Sequence, residues 1–597
     1  MLERIDGYAP IADYGAIGDG RTAALVARDG AIDWLCLPDL DSGSVFGALL
    51  DSERGGRFLL EPETRYDASR RYVPGTNVLE TTFRTSAGAV RVTDAMTLPS
   101  HGLSPYRELV RKVDGVRGEV ALRWRVEPRF SFGQERTRLE RRAGVPVATA
   151  GRDAIAVCSF DAGESVFDED AIAGRFTTRE GSSSLIVVSS AHQEPLVLPP
   201  RDAAVARLEA TARAWREWSE QRRYDGPWHE AVLRSALALK LLVYAPSGAI
   251  AAAATTSLPE AIGGERNWDY RYSWIRDSAF TVDAMLQLGC PAEAQAYFWW
   301  LMHATQLTHP RLQVLYRLDG GTHVRERELP LAGYRRSRPV NICNGAADQV
   351  QLDTYGELMQ TAWLYTRGGN PLDRDVARRF AGIADFVCAN WRRADAGIWE
   401  VRSEPAHFTQ SKMLCAVALE RALELADQRT IPGKNVARWR AECAAVRRFV
   451  DRHCWSDEKR CFVRFADSGE LDASVLLAIL HGYAEPDDER MQTTIDAIAR
   501  ELADGPLVRR YSGDDGLAGG EGAFLACSFW LTEALACTGR VDSAGQLMEQ
   551  LIALANDVGL YSEEIDPDTG SFLGNMPQGL SHLALISAAT AIANAQR

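Results

Sequence analysis

The spacing of hydrophobic and polar positions changes once along the chain. From about Asp13 to Pro199, short alternating or β-branched runs are interrupted by Gly, Asp, Ser and Pro. The dipeptide Asp29-Gly30 is typical of a tight hairpin turn. Strands of regular length with turn signals between them predict an antiparallel β-sandwich. No group of residues with catalytic character stands out in this part of the sequence.

After about Arg201, apolar residues follow the helical spacing i, i+3, i+4 and i+7. The Ala-rich segment DAAVARLEATARAWREWSEQ predicts a linker helix, and about twelve further helices are predicted after Trp228. They include Ala346–Thr366 and Asp472–Gly482. Without a fixed-period repeat, these helices are compatible with a closed toroid of helical hairpins or with a solenoid. We therefore predict a β-sandwich domain at 1–199, a linker helix at 200–226 and a helical domain at 227–597.

The composition is that of an ordinary globular protein, with 46% hydrophobic and 25% charged residues in a chain of 597. A net charge of −14 without any basic run argues against nucleic acid and anionic membranes as partners. No apolar run reaches the roughly twenty residues that cross a bilayer. Charges begin at the third residue, which is unlike a secretory signal, and eleven Cys without a CxxC pair indicate reduced thiols. We expect a cytoplasmic protein.

One stretch, GERNWDYRYSWIRD from Gly264 to Asp277, combines two Trp, two Tyr, three Arg and two Asp. A core segment rarely carries so many charges, and a solvated loop rarely carries so many rings. Aromatic rings cover the C–H faces of a sugar, while Arg and Asp form strong hydrogen bonds with its hydroxyl groups. The alternative is an amphipathic helix start with solvated Arg side chains. We interpret the stretch as part of a carbohydrate site.

Two later loops place carboxylates in polar, aromatic surroundings. Glu400 directly follows Trp399 in AGIWEVRSEPAHF, and Glu563 and Glu564 are adjacent in GLYSEEIDPDTGSFLGNMPQG. Glycoside hydrolysis needs two carboxyl groups beside the scissile bond, one protonated and one ionised. A neighbouring Trp can supply the apolar surroundings that keep the acid protonated. Because a single Glu in a loop is most often a solvated charge, these residues alone predict a carbohydrate protein and leave hydrolysis open.

Five segments resemble, in the same order, the motifs of glycoside hydrolase family 15, which includes glucoamylases, glucodextranase and bacterial trehalases. They are RNWDYRYSWIRD, QVQLDTYGE, GIWEVRSEPAHFTQSK, RYSGDDGLAGGEGAFLACSFWL and GLYSEEIDPDTGSFLGN. The N-terminal IADYGAIGDGRTAALVARDGAIDWLCLPDLDSGSVFGALLD is similar to the start of bacterial members, so the resemblance covers essentially the whole chain. It implies a multidomain fold in which an N-terminal antiparallel β-sandwich precedes a catalytic (α/α)6 barrel.

The resemblance also implies residue roles. Glu400 matches the general acid and Glu563 the general base that activates water, with Glu564 as the neighbouring alternative. The positions that match sugar-binding residues are Tyr270, Trp274, Arg276, Asp277, Trp399 and Arg510. The implied reaction is a single displacement with inversion that releases β-glucose from the non-reducing end of an α-glucoside. It requires neither a metal nor a cofactor, and we interpret the lone His407 as structural or as a substrate contact.

Two positions depart from the family pattern. Val401 stands where fungal glucoamylases have a second Glu, and Gln410 stands where bacterial relatives often have His. The first departure, together with the expected cytoplasmic location and the lack of a starch-binding module, favours a small α-glucoside substrate. Trehalose is the first expectation, ahead of isomaltose and malto-oligosaccharides.

Other classes of protein predict different behaviour. A glucoamylase-like or isomaltose-type glucohydrolase would share the mechanism but prefer another substrate. A disaccharide phosphorylase would lack a base equivalent to Glu563, and a non-catalytic sugar-binding protein would bind without turnover. The sequence leaves the linkage, the aglycone and the oligomeric state open, so the expected partners are a small α-glucoside and, in a homo-oligomer, further copies of the chain.

Overall fold

The computed structural model describes residues 4–99, 107–513, 515–516 and 519–597. The first three residues of the chain lie outside these ranges. Positions 514, 517 and 518 of the motif RYSGDDGLAGGEGAFLACSFWL also lie outside them. Among the described residues, no helix is both long enough and apolar enough to cross a membrane.

Fifteen antiparallel strands in the described N-terminal part form two sheets that share one long strand. The strands are β1 (Tyr14–Gly18), β2 (Ala23–Ala27), β3 (Ile32–Cys36), β4 (Ser44–Phe46), β5 (Phe58–Pro62), β6 (Tyr66–Tyr72), β7 (Leu79–Thr85), β8 (Gly88–Met96), β9 (Glu108–Val126), β10 (Arg138–Arg142), β11 (Val145–Ala150), β12 (Asp153–Phe160), β13 (Val166–Asp168), β14 (Ala171–Arg179) and β15 (Ser183–His192). The first half of β9 pairs with β8 and β15, and its second half pairs with β5 and β14. Strands β5 and β7 alternate between buried and more exposed positions, as expected for one face on a core. The predicted antiparallel β domain is confirmed.

Helix α1 (Arg201–Glu220) follows the sheets, and the remaining helices of the described chain come after it. They are α2 (His229–Leu242), α3 (Ser278–Gln287), α4 (Pro291–Gln306), α5 (Asp353–Arg367), α6 (Arg374–Asn390), α7 (Thr409–Asp427), α8 (Val436–His453), α9 (Leu477–Leu480), α10 (Glu489–Glu501), α11 (Leu525–Cys537), α12 (Val541–Ile552) and α13 (Gly579–Ala595). Each of α3, α5, α7, α9, α11 and α13 contacts the next, and α13 contacts α3 again. This closed inner ring, with the other helices outside it, is the predicted (α/α)6 barrel, and the closure excludes a solenoid.

The inner and outer helices differ in sequence for a simple reason. Helix α11 is buried around almost its whole circumference, whereas the outer helix α10 buries a single apolar stripe. A helix that is surrounded by other helices needs apolar residues on every side, while a surface helix needs them on one side only. The helical spacing in the sequence therefore marks the outer helices most clearly.

Two predicted helices differ from those observed. The prediction Ala346–Thr366 is wrong at its start, because α5 begins only at Asp353 and a 3-10 turn occupies Gly345–Asp348. The helix does not continue through this segment, since the Leu352 N–H donates to an Asp395 carboxylate oxygen at 2.8 Å instead of to a backbone carbonyl of a preceding turn. The prediction Asp472–Gly482 is wrong as a single α-helix, because a 3-10 turn at residues 473–476 precedes the short α9.

Short strands lie in the loops of the helical part and shape its connections. They are β16 (Val243–Tyr244), β17 (Ala249–Ile250), β18 (Thr256–Pro259), β19 (Asn267–Asp269), β20 (Ser273–Trp274), β21 (Leu315–Tyr316), β22 (Arg327–Leu329), β23 (Val340–Ile342), β24 (Trp455–Ser456), β25 (Cys461–Phe462), β26 (Ala503–Asp504), β27 (Leu507–Val508), β28 (Ala523–Phe524), β29 (Glu564–Ile565) and β30 (Phe572–Leu573). Further 3-10 turns occupy residues 11–13 and 334–336.

Buried polar contacts join the β domain to the barrel. Arg271, from the aromatic stretch, pairs with Asp269 at 2.7 Å and donates to the carbonyl of Ser42 at 2.6 Å. Trp34 of β3 donates from Nε1 to the carbonyl of Ala254 at 2.8 Å. Arg271 therefore anchors the stretch on the β domain. The domain limits at 199/200 and 226/227 stay predictions; they fall in the connections after β15 and before α2.

Candidate active site

Glu400 lies in the loop between α6 and α7, where two side chains of the aromatic stretch hold it. Its Oε1 accepts hydrogen bonds from Trp274 Nε1 at 2.6 Å and from Arg276 Nη1 at 3.2 Å. Its backbone φ of 58° is left-handed, a conformation that is rare for a residue with a side chain and that is common at functional sites. Gln349 Nε2 supports this turn by donating to the carbonyl groups of Glu400 at 3.1 Å and Val401 at 3.3 Å.

The surroundings of Glu400 suit a proton donor. Burial raises the pKa of its carboxyl group, while Arg276 and Trp274 act in the opposite direction, and only 12% of the side chain is exposed. A raised pKa extends to higher pH the range in which the carboxyl group keeps its proton. The same two donors then stabilise the carboxylate that remains once the proton has left.

Arg276 and Asp277 form a buried ion pair at the start of α3. The Arg276 Nε donates to Asp277 Oδ1 at 2.9 Å, and its Nη1 also donates to the carbonyl of Ile398 at 3.2 Å. The two side chains are 8% and 10% exposed. Charged groups fixed in this way can form strong, directional hydrogen bonds with sugar hydroxyl groups.

Glu563 lies in the loop before α13 and is 1% exposed. Its Oε2 accepts the Asn575 N–H at 3.2 Å, whereas its Oε1 has no hydrogen-bond partner among the described residues. A Cβ atom at Gly574 would lie 2.5 Å from Oε2, so only glycine fits beside this carboxylate. Burial raises the pKa of Glu563, the charge of Glu260 raises it further, and Arg510 lowers it.

Tyr270 and Arg276 lie close enough to both carboxylates to interact with them electrostatically. Burial raises the pKa of the Tyr270 phenol, and the negative charges of Glu563 and Glu400 raise it further. The Tyr270 ring lies 5.0 Å from that of Trp274. Arg276, which contacts Glu400, also lowers the pKa of Glu563. The structure thus brings together residues from the aromatic stretch and from both later loops, and their roles stay predictions.

Glu564 belongs to a neighbouring cluster of charges. Its Oε2 accepts the Gly522 N–H at 2.8 Å, and its Oε1 lies 3.6 Å from Arg510 Nη2. Carboxylate oxygens of Glu564, Glu260 and Glu521 lie within 4.8 Å of one another, close enough to surround a cation. The Arg510 guanidinium lies among them and donates to Glu260 at 2.8 Å and to Glu521. An arginine side chain therefore supplies positive charge to this cluster.

Trp399 forms a wall between Glu400 and this charged cluster. The Arg510 Cζ atom lies 5.6 Å from the centre of the Trp399 ring, and the Trp530 ring lies 6.0 Å from it. Trp399 Nε1 donates to Asp472 Oδ1 at 2.9 Å, which fixes the plane of the indole. In this structure Arg510 contacts carboxylates, and its contact with a sugar stays a prediction.

Several buried or half-buried residues of the site were not singled out from the sequence. They are Glu260, Arg266, Asp353, Asp515 and Glu521. Most of them belong to the motifs quoted above, and this membership could have identified them from the sequence. No sequence signal marks Glu260. Arg266 donates to Asp515 at 2.7 Å and to Glu521 at 3.0 Å, which extends the charged cluster.

The two remaining positions from the sequence lie at the start of α7. His407 packs against Phe449 with ring centres 5.5 Å apart, as a structural residue would. Gln410, which departs from the family pattern, is 3% exposed in the first turn of α7.

Two buried carboxylates in the loops of a six-hairpin barrel that follows an antiparallel β domain are the arrangement expected of a glycoside hydrolase. Comparison with known proteins identifies the family of glycoside hydrolases. The chain belongs to family 15 of the glycosyl hydrolases, whose model matches residues 226–590. A second model, described as trehalase-like, N-terminal, matches residues 6–167.

Similar proteins span the whole chain. A trehalase from Mycolicibacterium smegmatis is 38% identical over 99% of this chain and 92% of its own length. A trehalase from Thermoplasma volcanium is 35% identical over 98% of this chain and 94% of its own. The crystal structure of a bacterial glucoamylase complexed with acarbose has a TM-score of 0.72 at 13% identity, covering 99% of this chain and 96% of that one. This last match confirms the fold.

Proposed function

We propose that this protein is an exo-acting hydrolase that cleaves trehalose with inversion, with Glu400 as the general acid and Glu563 as the general base. The observation that carries the reaction type is the pair of buried carboxylates around Tyr270 and Arg276. Full-length similarity to proteins named trehalase supports the substrate. Val401 at the position after the acid is consistent with a small disaccharide.

In this mechanism Glu400 protonates the glycosidic oxygen as the bond to C1 breaks. Trp274 and Arg276 stabilise the carboxylate that forms on Glu400, because both already donate to its Oε1. Glu563 removes a proton from the attacking water through Oε1, the oxygen without a partner among the described residues. Asn575 holds the other oxygen, which fixes the orientation of the base. Inversion requires about 6.5–9.5 Å between the two carboxyl groups to admit this water.

Arg276 and Asp277 hold the glucose unit at the non-reducing end through its hydroxyl groups, beside the rings of Tyr270 and Trp274. Trp399, whose ring lies 5.6 Å from the Arg510 Cζ atom, borders this unit on the side towards Arg510. Attack at the end of a chain, which is exo-acting, follows from this assignment.

Glu563 is favoured over Glu564 as the base by its surroundings. Glu563 interacts with Arg276, which also contacts the acid. Glu564 instead accepts the Gly522 N–H and lies 3.6 Å from Arg510. These contacts place Glu564 in the charged cluster around Arg510.

Proton NMR of fresh products tests the reaction and the substrate together. With trehalose, maltose and isomaltose in parallel, we expect trehalose to react fastest. Inversion at one glucose gives β-glucose, and the leaving unit appears as α-glucose in equal amount. Early α-glucose without β-glucose would contradict the inverting mechanism. Turnover that depends on phosphate and forms a sugar phosphate would indicate a phosphorylase instead.

Single substitutions test the two assigned carboxylates. Glu400→Gln and Glu563→Gln are each expected to lower kcat by roughly 10²–10⁴-fold, the range for loss of general acid or base catalysis. Glu404→Gln changes an exposed carboxylate of the same loop as Glu400 and is the matched control. Full activity in Glu563→Gln together with inactive Glu564→Gln would assign the base to Glu564.

A further inference from the structure

We propose that Arg402 binds the leaving sugar unit and thereby selects disaccharides whose second unit fits against its guanidinium. This role rests on the proposed function, because it assumes that Glu400 protonates the bond to that unit. Arg402 lies two residues after Glu400 on the same loop. Its positive charge is close enough to lower the pKa of Glu400, although burial has the larger, opposite effect.

The side chains around Glu400 differ in exposure. Arg276, which contacts the acid, is 8% exposed and Glu400 itself is 12% exposed. Arg402, whose charge also acts on this carboxyl group, is 32% exposed. The buried end holds the glucose that is attacked, so the second sugar occupies the more open layer where Arg402 lies.

The Arg402 guanidinium is oriented before any ligand binds. Its Cζ atom lies 4.9 Å from the centre of the Trp268 ring, and its Nη2 donates to Glu326 Oε2 at 3.3 Å. Glu326 is fixed in turn by the Gly345 N–H at 2.9 Å. A Cβ atom at Gly345 would lie 3.0 Å from Arg402 Nη1, so glycine lets the backbone approach the guanidinium closely.

Trp268 connects this guanidinium with both parts of the catalytic pocket. Its Nε1 donates to Glu260 Oε1 at 3.1 Å, within the charged cluster around Arg510. Its carbonyl accepts a hydrogen bond from Asn575 Nδ2 at 2.9 Å, and the Asn575 N–H holds Glu563. The Trp268–Arg402 pair therefore spans the space between the loops of the two carboxylates.

The chemistry of Arg402 fits a hydroxyl-rich ligand. Within the described part of the chain, Nη2 is the guanidinium nitrogen with a hydrogen-bond acceptor. The remaining N–H groups form a rigid fork that can donate to two neighbouring sugar hydroxyl groups at once. Stacking on Trp268 limits the fork to one plane, so hydroxyl groups in another arrangement are bound less well.

Comparing two substrates separates a contact with the leaving unit from a general effect. α-Glucosyl fluoride has the same glucose but a leaving group without hydroxyl groups. For Arg402→Met we expect kcat/KM on trehalose to fall roughly tenfold or more, the effect of losing hydrogen bonds from a charged donor. The value for α-glucosyl fluoride should stay within about twofold. Measuring kcat/KM across pH distinguishes a lower value at the pH optimum from a shift of the whole pH profile, which a changed pKa of Glu400 would cause.

Arg392→Met is a matched control for the substitution. Arg392 also stacks on a Trp, with its Cζ 4.2 Å from the Trp391 ring, and pairs with Glu442 at 2.7 Å. Arg392 lies after the outer helix α6. In Arg392→Met, we therefore expect kcat/KM to be unchanged for both substrates. Equal losses on the two substrates in Arg402→Met, or no loss on trehalose, would overturn the assigned role.

The wild-type enzyme distinguishes failure of this role from failure of the proposed function. If it cleaves α-glucosyl fluoride but not trehalose, the proposed substrate is wrong. The same comparison for Arg402 is then made with whichever of maltose and isomaltose is hydrolysed. A selective loss on that disaccharide would support the role of Arg402, and an equal loss on both substrates would overturn it.

Discussion

At the scale of single residues, burial and neighbouring charges set the protonation of Glu563. Burial raises its pKa and Glu260 raises it further, yet the proposed base must be ionised to accept a proton. Activity is therefore lost as the pH falls through the pKa of this group. Glu260→Gln removes one negative charge, which lowers the pKa of Glu563 and moves the acidic limb of kcat/KM to lower pH.

The measurement is kcat/KM on trehalose as a function of pH. Since buried carboxylates titrate together, the limb reports the coupled group rather than Glu563 alone. Glu442→Gln, on the outer helix α8, should leave the limb in place. An acidic limb that stays unchanged or moves to higher pH in Glu260→Gln would show that Glu260 does not act on the base.

At the scale of an element, helix α5 begins with a carboxylate that destabilises the fold at high pH. Asp353 is fully buried, and neither of its carboxylate oxygens has a hydrogen-bond partner among the described residues. Burial raises its pKa from 3.8 to about 8, and the negative charge of Asp395 acts in the same direction. The protonated form is favoured in the folded state. The stability that this protonated carboxyl group contributes to the folded state is fully present below about pH 4, and it is lost as the pH rises to about 8.

Asp353→Asn removes this titration, so the free energy of unfolding should fall less between about pH 4 and pH 8 than it does in the wild type. Urea unfolding at several pH values measures the difference. Asp542→Asn provides a control in the first turn of the outer helix α12, where the side chain is exposed. Parallel pH profiles for Asp353→Asn and the wild type would contradict the expected effect.

At the scale of the whole molecule, the N-terminal segment holds the loop that carries Glu326. The rings of Tyr8 and Tyr334 lie 5.3 Å apart. Tyr8 donates to the carbonyl of Gly333 at 3.1 Å, and Tyr334 donates to that of Ala9 at 3.0 Å. This reciprocal contact joins the start of the chain to the connection between α4 and α5.

Tyr334→Ala removes both a buried ring and a hydrogen bond, so we expect a loss of about 3–5 kcal/mol in the stability of this contact. Hydrogen exchange over residues 323–336 should become faster. Tyr334→Phe keeps the ring and should cost only about 1 kcal/mol. Unchanged exchange in Tyr334→Ala would mean that other contacts suffice to hold the loop.

The sequence by itself determined the order of β and helical parts and the loops that carry chemistry. Periodicity depends on neighbours in the chain, so a switch from alternating to helical spacing is visible without tertiary contacts. Motif resemblance marked Glu400, Glu563 and the Arg276–Asp277 pair. The late start of α5 was missed because Asp395, from another loop, accepts the Leu352 N–H, and local spacing does not report such a contact.

Tertiary structure alone decided how these pieces meet. It closed the helices into a ring through the contact of α13 with α3. It also separated the residues of one aromatic stretch, since Arg276 contacts Glu400 while Arg271 contacts the β domain. Ser42, which accepts from Arg271, and Glu326, which accepts from Arg402, lie far away in sequence, because such partners depend on packing between elements. A local pattern specifies that an Arg is present, whereas only the fold specifies what its guanidinium contacts.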